Sequence, residues 1–185
     1  MRKILPCLLI TLLLLGGCSK ELEPDKAQSV AEHYEALDEI TVQAVLRTDY
    51  GDRVIDFSVE YTHRKDESGS MTVLSPEDIA GIRADILPGC ATLEYDGLAL
   101  ELGPLPGTGL SPMESLPFMI GQWSGGYAVD SGVERMGTRE LVCVRYRQTS
   151  GGSVLEQTVL FEPGTLLPVR SELYIDGALV VTCTF

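Results

Sequence analysis

The sequence predicts a mainly β, α+β fold: an antiparallel sheet of about ten or eleven short strands, large enough to curl, with an N-terminal helix and a second helix in mid-chain. Three observations predict it. Apolar residues recur at every second position through most of the chain, the signature of strands with one wet face. Asp96-Gly97 and Asp176-Gly177 each separate two such runs and read as two-residue hairpin turns. Helical spacing appears in only two segments, with no strand–helix–strand alternation and no internal repeat.

The first segment is not part of that fold. Arg2 and Lys3 precede an apolar stretch, Ile4 to Leu15, broken by Pro6, Cys7 and Thr11. It is shorter than the roughly 20 residues that span a bilayer as a helix, and it reads as a secretion signal. It ends Leu15-Gly16-Gly17-Cys18. This resembles the lipobox of bacterial lipoproteins, in which a leucine and two small residues precede the cysteine that receives the lipid. The expected organisation is a signal over 1–17, a lipidated Cys18 with a short tether over 18–25, and one domain over 26–185. Anchoring by two or more acyl chains is stable. The mature chain is therefore expected outside the cytoplasm, on the outer face of the cytoplasmic membrane, or on an outer membrane if the cell has one.

From Pro24 or Asp25 to Leu37 the reading is helix, with Val30, Tyr34 and Leu37 on one face. The period then switches to two. Ile40, Val42, Ala44 and Leu46 form one strand; after a turn at Asp49 to Asp52, Ile55, Phe57, Val59 and Tyr61 form the next. Residues 63–70 read as a charged loop and 71–74 as a short strand. Ser75-Pro76-Glu77-Asp78 reads as a helical turn, with Ser75 as N-cap and Pro76 in the first helical position, closed by Gly81. Strands are expected at 82–87 and 91–95. After Asp96-Gly97, Leu98, Leu100 and Leu102 share a face. A Gly/Pro-rich connection, 103–112, leads to the second helix at about 113–123. A short strand near 126–130 precedes four more, at 138–147, 154–161, 169–175 and 178–185.

The second helix is apolar on most sides. Met113, Leu116, Ile120 and Trp123 mark one face, and Pro117, Phe118 and Met119 lie on the other. A helix of that kind is buried or touches two surfaces. A lid on the concave face of a curled sheet satisfies that requirement.

Composition narrows the function. The chain of 185 residues has 14 basic and 27 acidic residues, a net charge of −13, which becomes −15 without Arg2 and Lys3. Nucleic acid and anionic headgroups repel such a chain, so no nucleic-acid partner is expected and the acyl anchor must supply membrane attachment. Beyond the signal and Cys18 lie Cys90, Cys143 and Cys183, with no metal-ligand spacing. Cys143 and Cys183 both fall in predicted strands; either they pair or all three thiols stay reduced. GQWSGG (121–126) is not a nucleophile elbow. His33 and His63, the two histidines, read as solvated groups on a helix and in a charged loop. No catalytic residue, cofactor or metal is assigned, and no enzyme is expected.

The order of these elements, together with FEPGTLLPVRSELYIDG (161–177), resembles the LolA/LolB-type carriers of bacterial lipoproteins. LSPEDIAGI (74–82), YDGLALELGPL (95–105) and LSPMESLPFMI (110–120) are similar to a smaller branch, the Gram-positive membrane lipoproteins of the germination type. The resemblance implies an open barrel whose mouth is covered by helices over an apolar cavity. In the carriers that cavity takes acyl chains. In the germination branch the fold implies a protein-partner scaffold that assists a cell-wall amidase in spore-cortex processing. The chain departs from the carriers in being itself anchored. It also has no clear counterpart of their cavity-gating arginine; Arg53, Arg83 and Arg139 stand in only by default.

Two apolar sets are the candidate site. Phe57, Val59, Leu98 and Leu100 are expected on the concave face, and Leu116, Phe118, Met119 and Trp123 on the lid. They form either a plain core or the lining of a cavity for an acyl chain, in which Met113 and Met119 would adapt to varied ligands.

Overall fold

The computed structural model describes residues 25–102 and 111–185. The signal, Cys18 and most of the Gly/Pro-rich connection lie outside them. Eleven strands form one antiparallel sheet: β1 Glu39–Asp49, β2 Val54–Arg64, β3 Gly69–Ser75, β4 Arg83–Leu87, β5 Cys90–Tyr95, β6 Leu98–Leu102, β7 Ala128–Met136, β8 Arg139–Ser150, β9 Ser153–Phe161, β10 Pro168–Ile175 and β11 Ala178–Thr184. The spatial order is β6-β5-β4-β3-β2-β1-β11-β10-β9-β8-β7. Two meanders therefore meet where β1 pairs β11, and the sheet stays open because β6 and β7 are its edges.

Alternation decides which face each strand buries. In β1, Val42, Ala44, Leu46 and Thr48 are buried while their neighbours are exposed. Register carries that face across the sheet: Leu46 lies opposite Phe57 on one side and Cys183 on the other, and Ser171 lies opposite Cys183 and Val159. The outer face is a wet ladder. Thr41 and Thr62 bond at 2.8 Å, Gln43 donates to Glu60 at 3.1 Å, and Arg47 pairs Asp56 at 3.3 Å. Each such pair contributes about 0.2–1 kcal/mol.

Both helices cover the inner face. Helix α1, Lys26–Glu35, is capped by Asp25, whose carboxylate accepts from the Ala27 amide at 3.0 Å and from the Ser131 hydroxyl at 2.7 Å. That second bond ties the helix start to β7. Helix α2, Pro112–Gly125, begins with proline at its first position and buries Ser115, Leu116, Met119, Ile120 and Trp123. Met119 thus belongs to the buried face, contrary to the expectation from the sequence. Pro117 sits inside α2. It has no amide hydrogen, so the Met113 carbonyl loses its helical bond and the first turn is held less firmly.

Other boundaries moved. The charged loop over 63–70 shrinks, because β2 runs on to Arg64 and β3 starts at Gly69. Ser75 ends β3; Pro76 is the N-cap of a short 3-10 turn, Glu77–Ile79, and no side chain caps it. The short strand expected near 126–130 is the nine-residue β7. Both Asp-Gly turns hold, with Asp96, Gly97, Asp176 and Gly177 all at positive φ, as tight primed hairpins require.

Cys143 and Cys183 do not pair. Cys143 neighbours Val142 and Val144, which belong to the inner core, so it points to the outer face; Cys183 is on the inner face. β9 and β10 lie between their strands. That is roughly 14 Å at the usual strand spacing, twice the Cα separation a disulfide tolerates. Both thiols are buried and free, and Cys90 is exposed and free.

Candidate functional site

α2 divides the inner face into two unlike sides. Toward β8–β11 the helix is sealed by aromatic rings. Trp123 meets Phe161 at 5.4 Å and Phe185 at 5.6 Å, both edge-on, and Tyr34 of α1 lies 5.0 Å from Trp123. Tyr34 also donates its hydroxyl to the Leu166 carbonyl at 2.7 Å, linking α1 to the β9–β10 turn. Trp123, Phe161, Leu116 and Met119 are fully buried here, as is Val59 on the neighbouring β2.

Toward β2–β5 the contact is incomplete. A chamber of about 160 Å³ lies between the start of α2, at Pro112 and Met113, and the inner face of the sheet at Phe57, Met71, Val73 and Leu93. Ile79 and Ile82, from the segment between β3 and β4, close one wall. A groove of about 550 Å³ runs along the other side of Met113, between Pro117, Phe118 and Gln122 of α2 and Ile86, Leu87 and Pro88 of the β4–β5 hairpin. Met113 lines both spaces. Ile86 and Ala84, two residues apart on β4, share a face and step from the groove to the chamber.

The groove has a polar rim of His63, Glu67, Glu114 and Gln148. His63 follows Tyr61 on the inner side of β2, and its Nδ1 lies 3.1 Å from the Tyr61 hydroxyl. Burial holds its imidazole below the ordinary pKa, only partly offset by Glu67 and Asp66. The solvated loop histidine expected from the sequence is therefore a half-buried strand residue. Its position was signalled by the alternation Phe57, Val59, Tyr61, extended by one step. Beneath it, Gly69 is a notch for the Tyr61 ring: a Cβ there would lie 2.6 Å from Tyr61 Cε2. A further cavity of about 290 Å³, between the end of α1 and the start of β1, shares His63 and Glu67.

The eight residues named from the sequence therefore separate. Phe57 lines the chamber and Phe118 the groove. Val59, Leu116, Met119 and Trp123 are core. Leu98 and Leu100 lie on the inner face by register, Leu100 opposite Leu93, yet they are 77% and 60% exposed. Met113, Met71, Val73, Leu93 and Ile86 complete the lining and were not singled out together, because their proximity depends on strand order. None of the three arginines lines these cavities. Arg53 stacks over Tyr50 at 5.9 Å, Arg139 pairs Glu162, and Arg83 alternates with the inward Ala84 and so faces outward.

No group of metal-ligating side chains occurs among the described residues. No family model matches the chain, and no curated protein matches it. Solved structures do. A LolA superfamily protein from Nitrosomonas europaea is similar at 10% identity, over 85% of this chain and 90% of that one, with a TM-score of 0.48. LprF from Mycobacterium bovis is similar at 13% identity, over 86% and 89%, with a TM-score of 0.46. A chain in the complex of the CwlD amidase with the GerS lipoprotein from Clostridioides difficile is similar at 11% identity, over 85% and 89%, with a TM-score of 0.42.

Proposed function

We propose that this chain is a non-enzymatic, envelope-located binding protein that holds an apolar ligand between α2 and the inner face of β2–β5. One observation carries the reading: the Met113-centred chamber and groove, whose chamber lining is apolar throughout. Apolar cavities surrounded by a packed core are binding sites by default, and each buried methylene of a ligand contributes about 0.8 kcal/mol. In this reading Cys18 carries the acyl anchor at the outer face of the cytoplasmic membrane, which brings the cavity to the source of such ligands.

A second reading, a scaffold for an envelope protein partner such as a cell-wall amidase, is favoured by a different observation. Tyr95, Leu98 and Leu100 are exposed together on the inner face at the β6 edge. Exposed apolar patches mark interaction surfaces.

Native mass spectrometry of the purified full chain tests the carrier reading. An adduct of lipid mass is expected, and it is lost in a Phe57→Glu, Phe118→Glu double variant that keeps its unfolding transition. A clean apo mass, with no uptake of added monoacyl or diacyl lipid, removes the carrier reading and leaves the scaffold.

A further inference from the structure

The chamber and the groove differ in size and in charge, and both differences bear on what kind of molecule fits. Binding cavities for organic ligands usually span about 300–1,000 Å³. The chamber, about 160 Å³, is well below that range, and the groove, about 550 Å³, is within it. Met113 stands between them in the first turn of α2, and an unbranched methionine can swing aside. The apolar path then follows the inner face of β4, from Ile86 past Ala84 to Leu93, and narrows from the groove to a chamber of about 160 Å³.

The rim has a definite charge. Its charged groups are Glu67 and Glu114, and its other polar groups are His63, Gln122 and Gln148, with Gln122 donating to Gln148 at 3.1 Å. Among the described residues, no lysine or arginine lines the groove. Arg64 and Lys65 lie on the neighbouring cavity and are engaged there, Arg64 with Glu39 at 3.8 Å and Lys65 with the Glu35 carbonyl at 3.0 Å. A carboxylate or phosphate monoester seated at this rim meets like charge from the exposed Glu67 and the part-buried Glu114.

We propose that the ligand is a single-chain amphiphile with no net negative charge on its headgroup, its tail passing Met113 into the chamber and its head resting at the His63–Glu67 rim. This rests on the binding-protein reading above and specifies its ligand class. A monoacylglycerol or a lysophosphatidylcholine fits; a free fatty acid anion and a two-chain phospholipid do not.

The test uses the full chain immobilised on affinity resin, washed free of detergent, and given radiolabelled monooleoylglycerol, oleoyl-lysophosphatidylcholine, oleate or dioleoylphosphatidylcholine below their aggregation concentrations. The two neutral-headed single-chain probes should bind at least tenfold more tightly than the other two. A series of monoacylglycerols should gain about fourfold in affinity per added methylene and then level off when the chamber is full. In Met113→Trp the levelling should come at a shorter chain. Because this last readout is a change in length dependence, it separates a filled chamber from a misfolded protein, which binds no member of the series. Equal binding of the two-chain lipid overturns the single-chain assignment, and equal binding of oleate overturns the headgroup assignment; both leave the binding-protein reading standing. Binding of none of the four overturns both.

Discussion

The two sides of α2 are made from the same helix and the same sheet, yet one is solid and the other hollow. On the β8–β11 side, Trp123, Tyr34, Phe161 and Phe185 close the interface ring against ring. On the β2–β5 side the helix presents Met113 to Met71, Val73 and Ala84 across the chamber, and Pro117 and Phe118 to Ile86 and Leu87 across the groove. Four aromatic rings fill one gap; the other keeps the chamber of about 160 Å³ and the groove of about 550 Å³. α2 is therefore packed ring against ring along one edge and borders open space along the other.

The largest expected effect breaks the solid side. Trp123→Ala should cost about 3–5 kcal/mol in chemical denaturation, whereas Phe118→Ala on the hollow side should cost under about 1.5 kcal/mol. Similar losses for the two would erase the distinction. Next, Gly69→Ala should cost about 1–3 kcal/mol by forcing Tyr61 off its notch, and it should weaken ligand uptake while leaving the Trp123 side intact. Ligand uptake equal to that of the parent chain would show that Tyr61 and His63 do not shape the rim.

Smaller effects sharpen the comparison. The Tyr146 hydroxyl, the Ser115 hydroxyl and the Gln157 carbonyl are buried under α2 without a protein hydrogen-bond partner among the described residues. Removing such a group relieves its desolvation cost, so Tyr146→Phe should be neutral or stabilise by up to about 1 kcal/mol. A loss would mean that the hydroxyl is satisfied. Among the thiols, Cys90 should label quickly in the native protein and Cys143 and Cys183 only on unfolding. Burial, with the Glu134 carboxylate nearby, pushes the Cys143 thiol up to about 12. Rapid native labelling of either would contradict the assigned faces.

The smallest effect is a pH slope. His63 titrates lower in the folded chain than its ordinary 6.5, so the unfolded chain takes up its proton first as the pH falls. Stability should therefore decline as pH drops through 6.5 and below, until the folded histidine also protonates. His63→Gln should flatten that part of the curve, and an unchanged slope would assign it to other groups.

Much of the fold was legible in the sequence. Period-two runs and the two Asp-Gly turns place most strands correctly, because alternation and turn chemistry are local. Ser75 misled because a serine before proline also ends a strand, and the choice depends on what β3 pairs with. The core residues Val59, Leu116 and Trp123 were readable as apolar but not as core rather than cavity, since that depends on which strand faces which part of the helix. His63 was hidden by its charged neighbours. Met71, Leu93 and Met113 come from three distant segments, and only the strand order brings them to one chamber. Leu98 and Leu100 alternate like core residues; their exposure goes with the place of β6 at the sheet edge, which no local pattern records.

The junction of the two meanders has a temporal meaning as well. β1 is paired along its whole length with β2, from Glu39–Arg64 to Asp49–Val54, but its other edge is satisfied by β11 through only the four pairs from Val45–Thr184 to Thr48–Val181. The N-terminal meander is built from neighbours in sequence and can form early. The edge of β1 must then stand open until the final strand arrives from the far end of the chain, a slow step for long-range pairing. During that wait the unpaired backbone of Val45 to Thr48 is an adhesive edge, and the protein's vulnerability to misassembly is concentrated at the centre of its finished sheet rather than at its rims.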